Sequence, residues 1–120
     1  MDSYRSLNAW KLAHRAALPA IKATDVAYHP RARDLFHQLR RAAVSVEANI
    51  VEGYALNTEP LFRRHLRIAF GSAAEAECLA RLVGQVEYLQ PAIVKELEDV
   101  LGETMRVIKG LMRRPPCTGG

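Results

Sequence analysis

The sequence has little of what disulfide-bonded, zinc-binding and membrane proteins depend on. Its 120 residues include only two cysteines, one tryptophan and 7% aromatic residues. Cys78 and Cys117 form neither a disulfide framework nor a zinc motif, so we expect reduced thiols in a cytoplasmic protein. The first residues show no basic segment followed by an apolar run, and no uncharged apolar run approaches the ~20 residues of a membrane span. We therefore expect neither a signal peptide nor membrane insertion.

Motifs for catalysis are missing as well. No Glu is followed by a His three residues later, as di-iron bundles require, and the four histidines lack metal-ligand spacing. There is no Gly-x-Ser-x-Gly and no phosphate-binding glycine loop, since Gly71-Ser72 lies inside a helical pattern. We therefore predict no catalytic, cofactor or metal site, and we expect a protein that is not an enzyme.

What the sequence does contain predicts one helical domain. Hydrophobic residues make up 49% of the chain, and 17 Lys+Arg against 13 Asp+Glu give a net charge of +4, which favours acidic partners only mildly. We place a single domain at residues 1–114 and a flexible tail at 115–120. Apolar residues recur at steps of three and four in four segments, at about 7–27, 31–54, 59–89 and 91–112.

The breaks between these segments predict how the helices are connected. Pro30 separates the first two, Gly53 is expected as the C-cap of the second, and Pro91 as the first residue of the fourth. Pro19 is expected to kink or weaken the first helix. Because the connections are short, we predict that the fold class is an all-α, up-down-up-down antiparallel four-helix bundle.

The third helical segment is apolar on two sides. One stripe contains Phe62, Leu66, Ala69, Ala73, Ala76, Ala80 and Val83. The other contains Ile68, Ser72, Glu75, Leu79, Leu82, Val86 and Leu89. A helix in a four-helix monomer needs only one core stripe, so the second predicts a homo-oligomer. A very wide core face is the alternative interpretation.

Polar residues form a seam beside the core stripe of the second helix. Arg41, Ser45, Asn49 and Glu52 follow at steps of four, four and three, which places them on one helical face. The hairpin of helices two and three should set Glu75 level with residues 36–41. We therefore predict a semi-buried Arg41–Glu75 bridge, and the alternative is that Arg41 contacts a partner's phosphate or carboxylate.

Arginines cluster in the first halves of the second and third helices. The two clusters contain Arg31, Arg33, Arg40 and Arg41, and Arg63, Arg64 and Arg67. Antiparallel pairing should set the second cluster beside Glu47 and Glu52, which predicts a solvated, salt-bridged face. The alternative is RNA or DNA binding, with these candidate contacts: Arg31, Arg33, Arg63, Arg64 and Arg67. No aromatic residues interleave with the arginines to stack on bases.

Several motifs together resemble a known family. They are Ala9-Trp10-Lys11-Leu12-Ala13, His29-Pro30, the segments 38–46 and 49–54, Phe62 and Leu66, the segment 68–72 with Glu75, and Glu87-Tyr88-Leu89. In this combination the chain resembles the four-helix bundle family called 23S rRNA-intervening-sequence proteins, or the S23 family.

The resemblance implies an up-and-down four-helix bundle that assembles as a homopentamer without enzymatic activity. Some members are encoded in intervening sequences of 23S rRNA genes, and a related branch is the accessory protein of diversity-generating retroelements, which binds a reverse transcriptase and nucleic acid. The motif residues that carry over, with a structural or assembly role, are Arg40, Arg41, Ser45, Asn49, Glu52, Gly53, Gly71, Ser72 and Glu75. The chain departs from the family pattern at Ala55-Leu56-Asn57, where relatives often carry a basic residue. It also departs at Ala76, a small residue at the position after Glu75 where relatives often have an apolar one, and at Pro19, which falls within the first helix.

Overall fold

Four α-helices make up almost all of the computed structural model, which describes residues 3–27 and 29–117. After a single 3₁₀ turn at Tyr4–Ser6, the helices are α1 (Asn8–Val26), α2 (Arg33–Leu56), α3 (Glu59–Gln85) and α4 (Pro91–Arg113). No β-strand element occurs within these two ranges. The prediction of an all-α four-helix bundle is confirmed. Tyr28 and residues 118–120 of the predicted tail lie outside the described residues.

Consecutive helices pack against each other. Two of the side-chain contacts in each pair show the relative direction: His14–Glu47 and Thr24–Arg40, Asn49–His65 and Ser45–Ser72, Arg63–Met112 and Arg81–Glu98. In every pair the residue numbers rise along one helix and fall along the other, so consecutive helices are antiparallel. The resulting bundle is 50 Å long and about 20 Å across.

The core is built from one stripe of each helix. All seven residues of the first α3 stripe are fully buried. The buried positions of α1 are mostly alanines, joined by Leu12 and Thr24, and they allow its neighbours to approach closely. α1 continues through Pro19, although proline cannot donate the backbone hydrogen bond of a helix interior.

The end of α2 differs from the prediction, because Gly53 is not its cap. The helix continues to Leu56 and ends where Asn57 takes a left-handed conformation with φ 53°. Asparagine tolerates this conformation better than most residues, so it can end a helix as glycine does. Gly53 is instead buried against α3, where an added Cβ would lie 2.8 Å from His65 Cβ and 2.9 Å from Phe62 Cδ1.

α3 also ends earlier than the predicted residue 89. Glu87 adopts φ 64°, and the N–H of Tyr88 donates to the Val83 carbonyl at 2.8 Å. The N–H of Glu87 donates to the Gly84 carbonyl at 3.0 Å. These two bonds form a Schellman motif with glutamate at the position that glycine usually occupies. The periodicity of apolar residues in the sequence does not reveal this helix end, because the same spacing continues beyond it.

The described part of the C-terminal tail extends to Cys117. Cys117 is half-buried against the hydrophobic core. Burial and, to a lesser extent, the Glu59 carboxylate raise the pKa of the Cys117 thiol, whereas Arg63 lowers it. Across the described ranges, no helix combines the length and the hydrophobicity needed to cross a bilayer.

Candidate assembly face on α2 and α3

A chain of hydrogen bonds joins the polar seam of α2 to α3. The hydroxyls of Ser45 and Ser72 lie 2.8 Å apart, and the Asn49 amide donates to the Ser45 carbonyl at 2.9 Å and to its hydroxyl at 3.2 Å. His65 Nδ1 lies 3.0 Å from Asn49 Oδ1, and its Nε2 lies 3.7 Å from Glu52 Oε1. Because Asn49 Oδ1 can only accept, Nδ1 of His65 carries the hydrogen. The network satisfies the polar groups at the edge of the core.

The sequence predicted four members of this network but missed His65. Helical spacing identified Ser45, Asn49 and Glu52, and the structure places Ser72 beside them. His65 was expected to be an isolated histidine. The hairpin register that sets Glu75 level with residues 36–41 also sets His65 level with residues 46–51, which include Asn49, and that register is the signal that could have identified it.

The predicted Arg41–Glu75 bridge is absent. The two residues line one surface groove with Gln38, Ser45 and Ser72, as the register predicted. Both are exposed, and among the residues that the structure describes neither takes part in an ion pair or a side-chain hydrogen bond. The groove therefore presents a cation on α2 and an anion on α3, side by side and unneutralised.

Arg40 belongs to a different contact from the rest of the seam. Its guanidinium donates to Thr24 Oγ1 at 2.9 Å, and Thr24 in turn donates to the Ala20 carbonyl at 2.7 Å. Arg40 is half-buried between α2 and α1. It therefore helps to hold α1 against α2, and it does not line the groove with Glu75.

The arginine clusters do not pair with the glutamates that the sequence suggested. Glu47 lies 2.9 Å from His14, and Glu52 faces His65. Arg63 donates to the Met112 carbonyl at 2.8 Å and to Glu59 at 2.8 Å. It thus satisfies a carbonyl in the last turn of α4, which removes Arg63 as a free nucleic-acid contact.

Four of the candidate nucleic-acid contacts remain exposed: Arg31, Arg33, Arg64 and Arg67. They lie in two groups that do not converge. In the α2–α3 register, Arg64 and Arg67 are level with residues 49–52, whereas Arg33 is level with the end of α3. At 1.5 Å per residue the groups are roughly 25 Å apart along the bundle.

The second stripe of α3 is divided between core and surface. Leu79 and Leu89 are buried, whereas Ile68 is 44% exposed, Leu82 41% and Val86 48%. Gly71 lies on the same side of α3 and is exposed, with no atom within 4 Å of an added Cβ. We call the outer surface formed by Arg41, Ser45, Ile68, Gly71, Ser72, Glu75, Leu82 and Val86 the assembly face. A glycine inside a helix predicts that a backbone or a bulky side chain packs against it, and none of the described residues of this chain does so at Gly71.

Exposed apolar side chains are distributed unevenly around the bundle. Large exposed hydrophobic residues lie on α1, on α2 and on or next to α3, and none of those in the described part of the chain lies on α4. The outer surface of α4 carries charged residues instead, including Lys95, Asp99, Glu103 and Arg106. The apolar surface is thus concentrated on the α2–α3 side.

Within residues 3–27 and 29–117, no three His, Cys, Asp or Glu side chains come together in a way that could hold an ion. The polar groups of the groove are hydroxyls, amides and two opposite charges, which suit packing and ion pairing.

Comparison with known proteins gives a consistent assignment. The sequence model of the family described as 23S rRNA-intervening sequence protein matches residues 5–110. A solved structure from Bacteroides thetaiotaomicron, described as a protein with unknown function from the S23 ribosomal protein family, superposes with a TM-score of 0.70. The two chains are 18% identical, over 86% of this chain and 96% of the other, which demonstrates a shared fold. No curated protein matches the chain.

Proposed function

We propose that this chain, which belongs to the 23S rRNA-intervening sequence protein family, is a non-enzymatic binding or scaffold protein that assembles with copies of itself through the assembly face. The observation that carries the proposal is the exposed second stripe of α3. Single exposed hydrophobic residues are normal on a protein surface. Ile68 and Leu82 on α3 and Val86 directly after it lie on one side together with an exposed glycine, and such an alignment supports packing against another chain. Five copies is the number that the family resemblance implies.

Magnitudes support a contact between chains at this stripe. Fully burying a Leu, Ile or Val side chain contributes about 1.5–3 kcal/mol. Ile68, Leu82 and Val86 are each a little under half exposed. Covering what remains of each therefore contributes on the order of 1 kcal/mol, and both sides of a contact contribute. Gly71 adds to this argument, because a glycine inside a helix costs about 1 kcal/mol relative to alanine. In the isolated chain nothing packs against it to offset that cost.

Light scattering coupled to size exclusion tests the proposal. At micromolar concentration the wild-type chain should have the mass of several 13.4 kDa chains. Leu82→Glu should dissociate the assembly, because it sets a charge in an apolar contact. Leu18→Glu is the matched control, since Leu18 is 42% exposed on α1 and Leu82 is 41% exposed on α3. Circular dichroism should show the same helix content for both variants.

A wild-type mass of 13.4 kDa at micromolar concentration would overturn the proposal, as would equal dissociation of the two variants. The cysteines provide a second measurement. Cys78 is exposed on α3 between Glu75 and Leu82, whereas Cys117 is half-buried and its thiol pKa is raised. We expect assembly to slow the thiol labelling of Cys78 and to leave that of Cys117 unchanged.

RNA or DNA binding is the second candidate function. Its support is that Arg64 and Arg67 are exposed on α3, and no side-chain hydrogen bond or ion pair engages them among the described residues. An assembly would repeat this basic pair on every copy. Affinity for RNA should then fall steeply with salt, and Arg64→Gln with Arg67→Gln should reduce the slope. Absence of binding at low salt would exclude this function.

A further inference from the structure

The groove on the assembly face contains two opposite charges that do not pair within the chain. Arg41 and Glu75 line it together, and both are exposed. The contacts Ser45–Ser72 and Asn49–His65 set the register of α2 against α3. In that register Arg41 and Glu75 lie at the same level along the bundle. Because the cation and the anion lie next to each other at the same height along the bundle and are unpaired, this surface of one copy is electrostatically complementary to the same surface of another copy.

Symmetry determines which residues such a surface can meet in a second copy. In a closed assembly whose rotation axis runs parallel to the helices, every residue keeps its level along that axis. When α2 of one copy packs beside α3 of the next, Arg41 can only meet residues near position 75. We propose that Arg41 of one copy forms an ion pair with Glu75 of the neighbouring copy. This inference rests on the proposed function, since it requires self-assembly.

The surroundings of Glu75 favour a strong pair. Ile68, Gly71 and Leu82 lie within two helical turns of it on the same side of α3. In a contact between copies these apolar and small residues exclude water. Exposed ion pairs contribute only about 0–1 kcal/mol, whereas in a contact shielded from solvent a wrong pairing of like charges is costly, so a shielded pair selects its partner more strictly. The missing side chain of Gly71 lets the neighbouring helix approach closely.

A second copy fits these charges better than other partners do. Nucleic acid, or an acidic segment of another protein, would be attracted by Arg41 and repelled by Glu75. A basic segment would be attracted by Glu75 and repelled by Arg41. A copy of this chain presents one charge of each sign at one level, and it therefore satisfies both.

Charge reversal tests the pair. Arg41→Glu and Glu75→Arg should each weaken self-association, raising the dissociation constant about tenfold or more, because each places like charges in the contact. Arg106→Glu and Glu103→Arg are matched controls, since these exposed residues lie on α4, away from the assembly face. Both controls should associate like the wild type. Urea unfolding should show that all four variants remain folded.

Mixing distinguishes a pair between copies from a pair within one chain. The Arg41→Glu chain should bind the Glu75→Arg chain with a pairwise dissociation constant close to that of the wild type, because each supplies the charge that the other lacks. If only the double variant in one chain recovers association, the pair lies within the chain and the inference is wrong. If neither single variant weakens association, the charges are merely solvated and the inference is also wrong. A wild-type chain that is monomeric would instead overturn the proposed function.

Discussion

Gly53 marks a close approach between α2 and α3. It is buried, and an added Cβ would meet His65 Cβ and the Phe62 ring at under 3.0 Å. The Cβ of His65 is fixed to its backbone, so it cannot swing away as the end of a flexible side chain could. Close contact at Gly53 also brings His65 within hydrogen-bond distance of Asn49, one turn away on α2.

We therefore expect Gly53→Ala to destabilise the fold, although alanine is the better helix former. Overpacking typically costs about 1–3 kcal/mol, which exceeds the gain in helix propensity of about 1 kcal/mol. Urea unfolding monitored by circular dichroism measures the difference. Gly102→Ala is the control, because no atom lies within 4 Å of an added Cβ at that position. Equal stability changes for the two variants would contradict this account of Gly53.

The hydrogen-bond and ion-pair partners of the polar residues on α2 were harder to predict than the helical face on which these residues lie. The spacing of Ser45, Asn49 and Glu52 was enough to place them on one side of α2. Their partners depend on the register between two helices, which is set by the conformation of the connecting turn. Local spacing does not contain that information. Glu47 and Glu52 were therefore expected beside arginines, whereas the structure pairs them with His14 and His65.

At the scale of helices, the ends were harder to predict than the interiors. The apolar periodicity located all four helices, and Pro91 began α4 as predicted. The ends of α2 and α3 were predicted incorrectly. In each case a residue other than glycine adopts the left-handed conformation after the helix: Asn57 after α2 and Glu87 after α3. Glutamate is rarely found in this conformation, so no residue in the sequence indicated that α3 stops at Gln85.

Glu87→Gly should stabilise the protein. A left-handed conformation costs an ordinary residue roughly 1–2 kcal/mol, and glycine avoids it at the expense of greater freedom in the unfolded chain. We expect a net gain of up to about 1 kcal/mol, measured as a rise in the midpoint of urea unfolding. Glu103→Gly, in the interior of α4, is the contrasting control and should destabilise by about 1 kcal/mol. A Glu87→Gly variant no more stable than the wild type would show that this strain is absent.

At the scale of the whole molecule, the two sides of the bundle differ in chemistry. The outer surface of α4 is charged, whereas the assembly face on α2 and α3 combines exposed Ile68, Leu82 and Val86 with the unpaired Arg41 and Glu75. The sequence shows a second apolar stripe on α3, and its role in an oligomer stays a prediction. The sequence could not show which members are covered inside one chain, because that depends on how far α2 and α4 reach around α3.

Gly71→Ala separates the stability of one chain from the stability of an assembly. In the isolated chain the added methyl group meets nothing, so unfolding should require up to about 1 kcal/mol more free energy. In the proposed assembly the same methyl group would occupy space needed by the neighbouring copy, so self-association should weaken. Urea unfolding at low concentration and sedimentation velocity at high concentration measure the two effects. Gly102→Ala should raise stability without changing association, and the same result for Gly71→Ala would show that nothing packs there.

The alanine-rich buried side of α1 has a consequence for how the bundle opens. Alanines such as Ala13 and Ala16 expose little apolar surface when α1 separates, whereas α2 buries Phe36, Leu39 and Ile50. Pro19 also removes one hydrogen bond from the middle of α1. Local openings begin where the fewest contacts are lost, so the backbone amides of α1 should exchange with deuterated solvent before those of α2 and α3. Such openings would briefly expose the inner side of α2 while the α2–α3 hairpin stayed intact.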